Sequence, residues 1–133
     1  MTKIESKTTV NKSIAEVYSF LADMNNHQQL MPENIYNWSS TTDEARFTIQ
    51  NMAKLALKVS SRINNQEIVI VPSEEAPFPV ELKWILSDLG NDTTMATHTI
   101  SADLNMVMKM LASGPLQKLA DHQTSQLASI LEQ

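Results

Sequence analysis

Residues Val10 to Asp23, VNKSIAEVYSFLAD, decide how the rest of this sequence is read. Ser13 and Glu16 stand at the spacing of a capping box, in which the Ser13 hydroxyl bonds the Glu16 amide and Glu16 reaches back. Val17, Phe20, Leu21 and Met24 follow at helical spacing and make one apolar face. The pattern predicts a helix from Ser13, broken around Asp23-Met24-Asn25-Asn26, with one further short turn between Asn26 and Met31 that ends before Pro32. Upstream, Ile4, Ser6, Thr8 and Val10 share one strand face and Lys3, Glu5 and Lys7 the other, which predicts a first strand from Lys3 to Val10.

Downstream the period changes from helical to two. Ile35 to Ser40 and Ala45 to Gln50 read as strands on either side of the polar turn Thr41-Thr42-Asp43-Glu44. Leu55, Leu57, Val59 and Ile63 alternate with Lys54, Lys58, Ser60 and Arg62, the pattern of a half-buried strand. Asn64-Asn65 supplies a turn, and Ile68-Val69-Ile70-Val71, apolar on both faces, is read as central without its inward face being assigned. The loop Pro72 to Pro79 leads to Val80, Leu82, Trp84 and Leu86, and Leu89-Gly90-Asn91-Asp92 is a hairpin signal. Thr94 to Leu104 completes the sheet, with Ala96, His98, Ile100, Ala102 and Leu104 on one face.

Gly114-Pro115 interrupts the C-terminal segment. The sequence therefore predicts a short helical piece near Met106 to Ala112 and a longer helix from about Pro115, whose apolar face carries Leu116, Leu119, Ala120, Leu127, Ile130 and Leu131.

Bulk properties narrow the function. A chain of 133 residues, 42% hydrophobic and 19% charged, is expected to form a single folded domain over residues 1–133. Its formal net charge of -5, with no Lys/Arg cluster to offset it, removes the electrostatic drive for binding nucleic acid and disfavours anionic membrane surfaces. With no cysteine there are no thiolate nucleophiles, disulfides or thiolate metal sites. Met1 to Lys7 alternates rather than running apolar, and no stretch is long enough to span a bilayer, so a cytoplasmic location without integral membrane association is expected. Two glycines, Gly90 and Gly114, allow neither a P-loop, nor a G-x-G-x-x-G turn, nor a G-x-S-x-G elbow. No histidines share metal-ligand spacing, and neither a metal nor another cofactor is implied. Glu74-Glu75 is read as a solvated pair, since adjacent side chains diverge.

The order of elements and the stretch Val10 to Asp23 resemble the START/Bet v 1-like (SRPBCC, polyketide cyclase/dehydrase-like) superfamily, and Gly90-Asn91-Asp92-Thr93-Thr94 is similar to the turn that opens its last strand. Ile14 stands where that superfamily often has proline, and Leu30-Met31-Pro32 where many members carry tryptophan shortly before proline. The resemblance implies an α+β helix-grip fold: a curved antiparallel sheet of about seven strands, in the order β-α-α-β-β-β-β-β-β-α, wrapped around a long C-terminal helix. It further implies a hydrophobic cavity between the two, whose entrance lies near the start of the terminal helix. Functions in the superfamily range from lipid and hormone carriage to polyketide cyclisation, coenzyme Q binding and chaperone activation, and fold alone does not choose among them.

By alternation, the concave face carries Phe47, Ile49, Leu55, Leu57 and Val59, then Leu82, Trp84, His98 and Ile100, with Tyr36 and Trp38 sharing a face of their own strand. Each is equally an ordinary core residue. Ser61 and His98, like Ser6 and Thr8, fall among these apolar positions and need polar partners. Met110 and Leu111 are placed at the implied entrance, where methionine adapts to apolar guests or simply fills gaps. His98 is the candidate for hydrogen bonding or acid–base work, against a structural role, while His27 and His122 are read as solvated.

Three readings follow. The first is binding of a small hydrophobic or amphipathic ligand, such as a lipid, polyketide or aromatic molecule, oriented by His98, Ser61 or Tyr36. The second is a cyclase/dehydratase-like enzyme using His98 or Tyr36 to move protons. The third is a protein-interaction module of the Hsp90-activator type, for which an exposed apolar patch matters more than a cavity.

Overall fold

The computed structural model describes residues 2–51, 53–76 and 78–132. Met1, and Pro77 within the Pro72 to Pro79 loop, lie outside the described residues. Strand β1 (Thr2–Val10) leads to helix α1 (Ile14–Ala22) and a 3-10 helix (Met24–Leu30). Six strands follow: β2 (Ile35–Ser40), β3 (Glu44–Ile49), β4 (Ala53–Ile63), β5 (Glu67–Pro72), β6 (Val80–Gly90) and β7 (Thr93–Ala102). Helix α2 (Met106–Leu131) completes the chain. The seven strands form one antiparallel sheet in the order β1-β7-β6-β5-β4-β3-β2, so β1 crosses to pair with the last strand.

Local chemistry explains the ends of these elements. Ser13 caps α1, its hydroxyl accepting from the Glu16 amide at 3.3 Å and donating to the Glu16 carboxylate at the same distance. Asp23 stops α1 and caps the 3-10 helix by accepting from the Asn25 amide. At the far end of α1, Arg62 donates to the Ala22 carbonyl from both Nε and Nη2, where a cation also complements the helix dipole. The β6–β7 hairpin turns through Asn91 and Asp92, both at positive φ, which matches the right-handed twist of the flanking strands.

The inner face of the sheet is mostly apolar, with Ser6, Thr94 and His98 as buried polar positions. In β5, Ile68 and Ile70 are fully buried while Val69 and Val71 are partly exposed, which settles the inward face of that strand. Trp84, Leu86 and Ala96 continue the core beside Val17 and Leu21 of α1 and Leu127 of α2. A second cluster joins Ile4 and Ile100 to Ala112, Leu116 and Ala120 of α2.

The terminal segment differs from expectation: α2 is one helix of 26 residues, with Pro115 inside it. Proline removes one hydrogen bond, that to the Leu111 carbonyl. Gly114 and Pro115 both lie on the exposed side, where that carbonyl has access to water, and the helix continues past the defect.

Candidate functional site

Between the sheet, the 3-10 helix and α2 lies an apolar cavity of about 40 Å³. Phe47, Ile49, Leu55 and Leu57 of β3 and β4 line it, with Leu82, Trp84, His98 and Ile100 of β6 and β7 opposite. Trp38 joins them from β2, stacked on Phe47 with ring centroids 5.3 Å apart. These nine sequence-derived candidates share the cavity because strand alternation puts every second residue on the concave face.

The other five candidates lie elsewhere. Asn37, at a φ of 55°, sits in a bulge that breaks the β2–β3 register between Tyr36 and Ser39. The bulge separates Tyr36 from Trp38, leaving Tyr36 exposed while Trp38 turns inward. A second irregularity, between Val59 and Ser61, ends the regular alternation of β4. Val59 packs at the edge of the core outside the cavity wall, and Ser61 is exposed. Met110 and Leu111 are exposed on the first turns of α2; neither lines the cavity, although Leu111 borders a second pocket described below.

Several wall residues escaped the sequence reading. Met24, His27 and Met31 come from the 3-10 helix and its C-terminal edge, Ile70 from β5, and Phe78 from the loop before β6. Val80 also belongs to the wall, and Leu116, Leu119 and Gln123 enter from α2. Leu116 and Leu119 were visible as members of an apolar helical face. Gln123 left no such signal, because a polar residue on a helix is by default solvated.

His27 corrects the reading of a solvated loop residue. It is buried on the 3-10 helix, and its Nε2–H donates to the Leu21 carbonyl at 2.7 Å, so the ring closes the unpaired end of α1. Burial holds its pKa below the ordinary histidine value, against the opposing effects of that hydrogen bond and of Asp23.

His98 is fully buried and stacked on Trp84 with centroids 4.1 Å apart. Its Nε2–H donates to Gln123 Oε1 at 2.8 Å, while Nδ1 has no partner among the described residues. Burial, followed by the neighbouring His27, pushes its pKa down to about 3. The ring is therefore neutral at ordinary pH. The Gln123 amide donates its own N–H to the Met31 sulfur at 3.5 Å. Ser6 finds its partner in Thr124, at 2.8 Å, one residue farther along α2.

A second pocket, of about 250 Å³, opens where α2 passes the β3–β4 turn. Leu111 and Pro115 form its helical side and Asn34, Gln50 and Asn51 its polar side. Ile49, Leu116 and Leu119 belong to both hollows. Among the described residues, no group of three or more histidines or carboxylates is arranged to hold a metal ion, and no helix is long and apolar enough to cross a membrane.

No protein-family model matches the sequence, and no curated protein sequence matches it significantly. Solved structures do match. XoxI from Bacillus cereus superposes with a TM-score of 0.79 at 11% identity, over 99% of this chain and 96% of that one. A START superfamily protein from Mycobacterium smegmatis gives 0.69 at 18% identity, over 98% and 97%. The di-domain ARO/CYC BexL from the BE-7585A biosynthetic pathway gives 0.77 at 13% identity, over 99% of this chain and 47% of that one. With the sheet order, the single long helix and these superpositions over nearly all of its own length, the chain has the START/Bet v 1-like, or SRPBCC, helix-grip fold.

Proposed function

We propose that this chain binds a small hydrophobic or amphipathic molecule between its sheet and α2. The observation that carries the reading is the pair of hollows with a common wall. The inner cavity of about 40 Å³ has room for only a few waters, far less than the roughly 300 Å³ at which ligand sites begin. Joined to the outer pocket of about 250 Å³ it approaches that size, and what separates the two is Ile49, Leu116 and Leu119. Rotation of these side chains joins an apolar interior to a mouth rimmed by Asn34, Gln50 and Asn51. Apolar burial supplies the affinity and the polar rim tolerates a hydrated end of the guest.

A cyclase-type activity, suggested by the ARO/CYC name of BexL, finds less support. An imidazole with a pKa of about 3 is a poor proton acceptor near neutrality, and Tyr36 lies outside the cavity. A protein-interaction role has one observation in its favour: Met106, Val107, Met110 and Leu111 are all exposed on the first turns of α2.

Native mass spectrometry of gently purified protein, followed by denaturing extraction, tests the proposal. A released apolar molecule is the expected result. An empty protein that also fails to bind a panel of lipids and aromatic polyketides overturns it and favours the interaction reading.

A further inference from the structure

Resting on the ligand-binding reading, we infer that the guest is an uncharged molecule that buries a single oxygen acceptor against the Gln123 amide. Gln123 is 1% exposed, and its two ends are unequally served. Its Oε1 accepts from the neutral His98 ring at 2.8 Å, an ordinary strong bond. Its N–H group meets only the Met31 sulfur, at 3.5 Å, and a thioether is a weak acceptor. A carbonyl, ether or hydroxyl oxygen brought to this point replaces a poor partner with a good one. The Met31 side chain is unbranched and flexible enough to give way.

The position along α2 fits a guest entering from the outer pocket. Leu116 and Leu119 form the shared wall, and Gln123 follows Leu119 by four residues, one helical turn deeper on the same face. A ligand whose polar atom reaches Gln123 thus leaves its apolar body between Ile49, Leu116 and Leu119.

Charge selection follows from what the walls lack. Among the described residues lining both hollows there is no lysine, arginine, aspartate or glutamate. The two histidines of the inner wall are held neutral by burial. A carboxylate or an ammonium drawn to Gln123 finds no counter-ion there, and an unpaired buried charge is far costlier than an unpaired carbonyl.

Calorimetric titration of the intact protein at pH 8 with methyl hexyl ketone, octene, octanoate and octylammonium tests this, since the four share a chain length and differ in the head. The ketone is expected to bind roughly two- to tenfold tighter than octene, as one added hydrogen bond warrants. Octanoate and octylammonium are expected to bind at least roughly a hundredfold more weakly than the ketone. Gln123→Leu should abolish the preference of ketone over octene while octene still binds. Met31→Leu, which removes the competing sulfur and leaves the His98–Gln123 bond in place, should enlarge that preference and keeps the test open if Gln123→Leu fails to fold. Octanoate binding as tightly as the ketone, or octene matching it in the wild-type protein, overturns the inference while the ligand-binding reading stands. Binding of none of the four, with no molecule retained on purification, overturns both.

Discussion

From Met106 to Leu111, helix α2 shows Met106, Val107, Met110 and Leu111 to solvent at 81%, 66%, 81% and 68% exposure, whereas from Ala112 to Leu127 its residues Ala112, Leu116, Ala120 and Leu127 are all 4% exposed or less. Both stretches are helical and both carry apolar side chains, so conformation does not separate them, and the more apolar stretch is the one left in solvent. The separation lies in what stands opposite. Ile4 and Ile100 pack on the second stretch, and its last turns close over the α1 side of the core. The first turns run past the edge of that support, with the outer pocket below them and Pro115 behind them. A helix gains stability from the surface it covers, and here only one half covers a surface.

That contrast can be broken most directly at Leu127. Leu127→Ala removes a fully buried side chain and is expected to cost about 2–5 kcal/mol, read as a lowered urea midpoint with an unchanged slope. A loss below about 1 kcal/mol would mean that the second half is no better anchored than the first.

Acid should act on the buried half as well. His98 is neutral in the folded protein down to a pH of about 3, whereas an unfolded histidine takes up its proton near 6.5. His27 is shifted in the same direction. Below about pH 6.5 the unfolded chain therefore binds more protons, and stability falls as pH falls, by up to about 1.4 kcal/mol per pH unit for each histidine. For His98 the decline levels off near pH 3. Urea titrations between pH 4 and 8, at roughly one-unit intervals, measure this dependence. If the profile is flat, the rings accept protons without unfolding.

Pro115 sharpens the boundary between the halves. Pro115→Ala restores a helical hydrogen bond to the Leu111 carbonyl and is expected to stabilise the protein by about 1–2 kcal/mol, less what the more flexible unfolded chain recovers. Amide exchange over residues 106–114 should slow accordingly. The smallest effect belongs to the first turns: Met110→Ser should change the unfolding free energy from urea titration by less than about 0.5 kcal/mol, because the side chain is already in water. A larger loss would reveal a packing partner for that face.

The strands were largely legible because a period of two is a one-dimensional consequence of the pleat. Phe47, Leu55, Leu82, Trp84 and His98 face the cavity as alternation predicts. Where alternation failed, a bulge had intervened: Tyr36 and Trp38 part at the Asn37 bulge, and Ser61 follows the irregularity in β4. A bulge is a property of two paired strands, so one strand's sequence does not display it. Gly114-Pro115 misled in the opposite sense, since a helix tolerates the missing bond when the freed carbonyl faces water, and the solvated side is known only after packing.

By itself, then, the sequence determined the order of elements, the cap at Ser13, the hairpin turn before Thr93 and the apolar faces, because each depends on residues close together along the chain. Tertiary structure alone decided the small size of the inner cavity, the wall shared with the outer pocket, and the meeting of His98, Gln123 and Met31. Those three residues are distant in the sequence and come from different elements. Their hydrogen bonds exist only once sheet and helices have closed around them and excluded water.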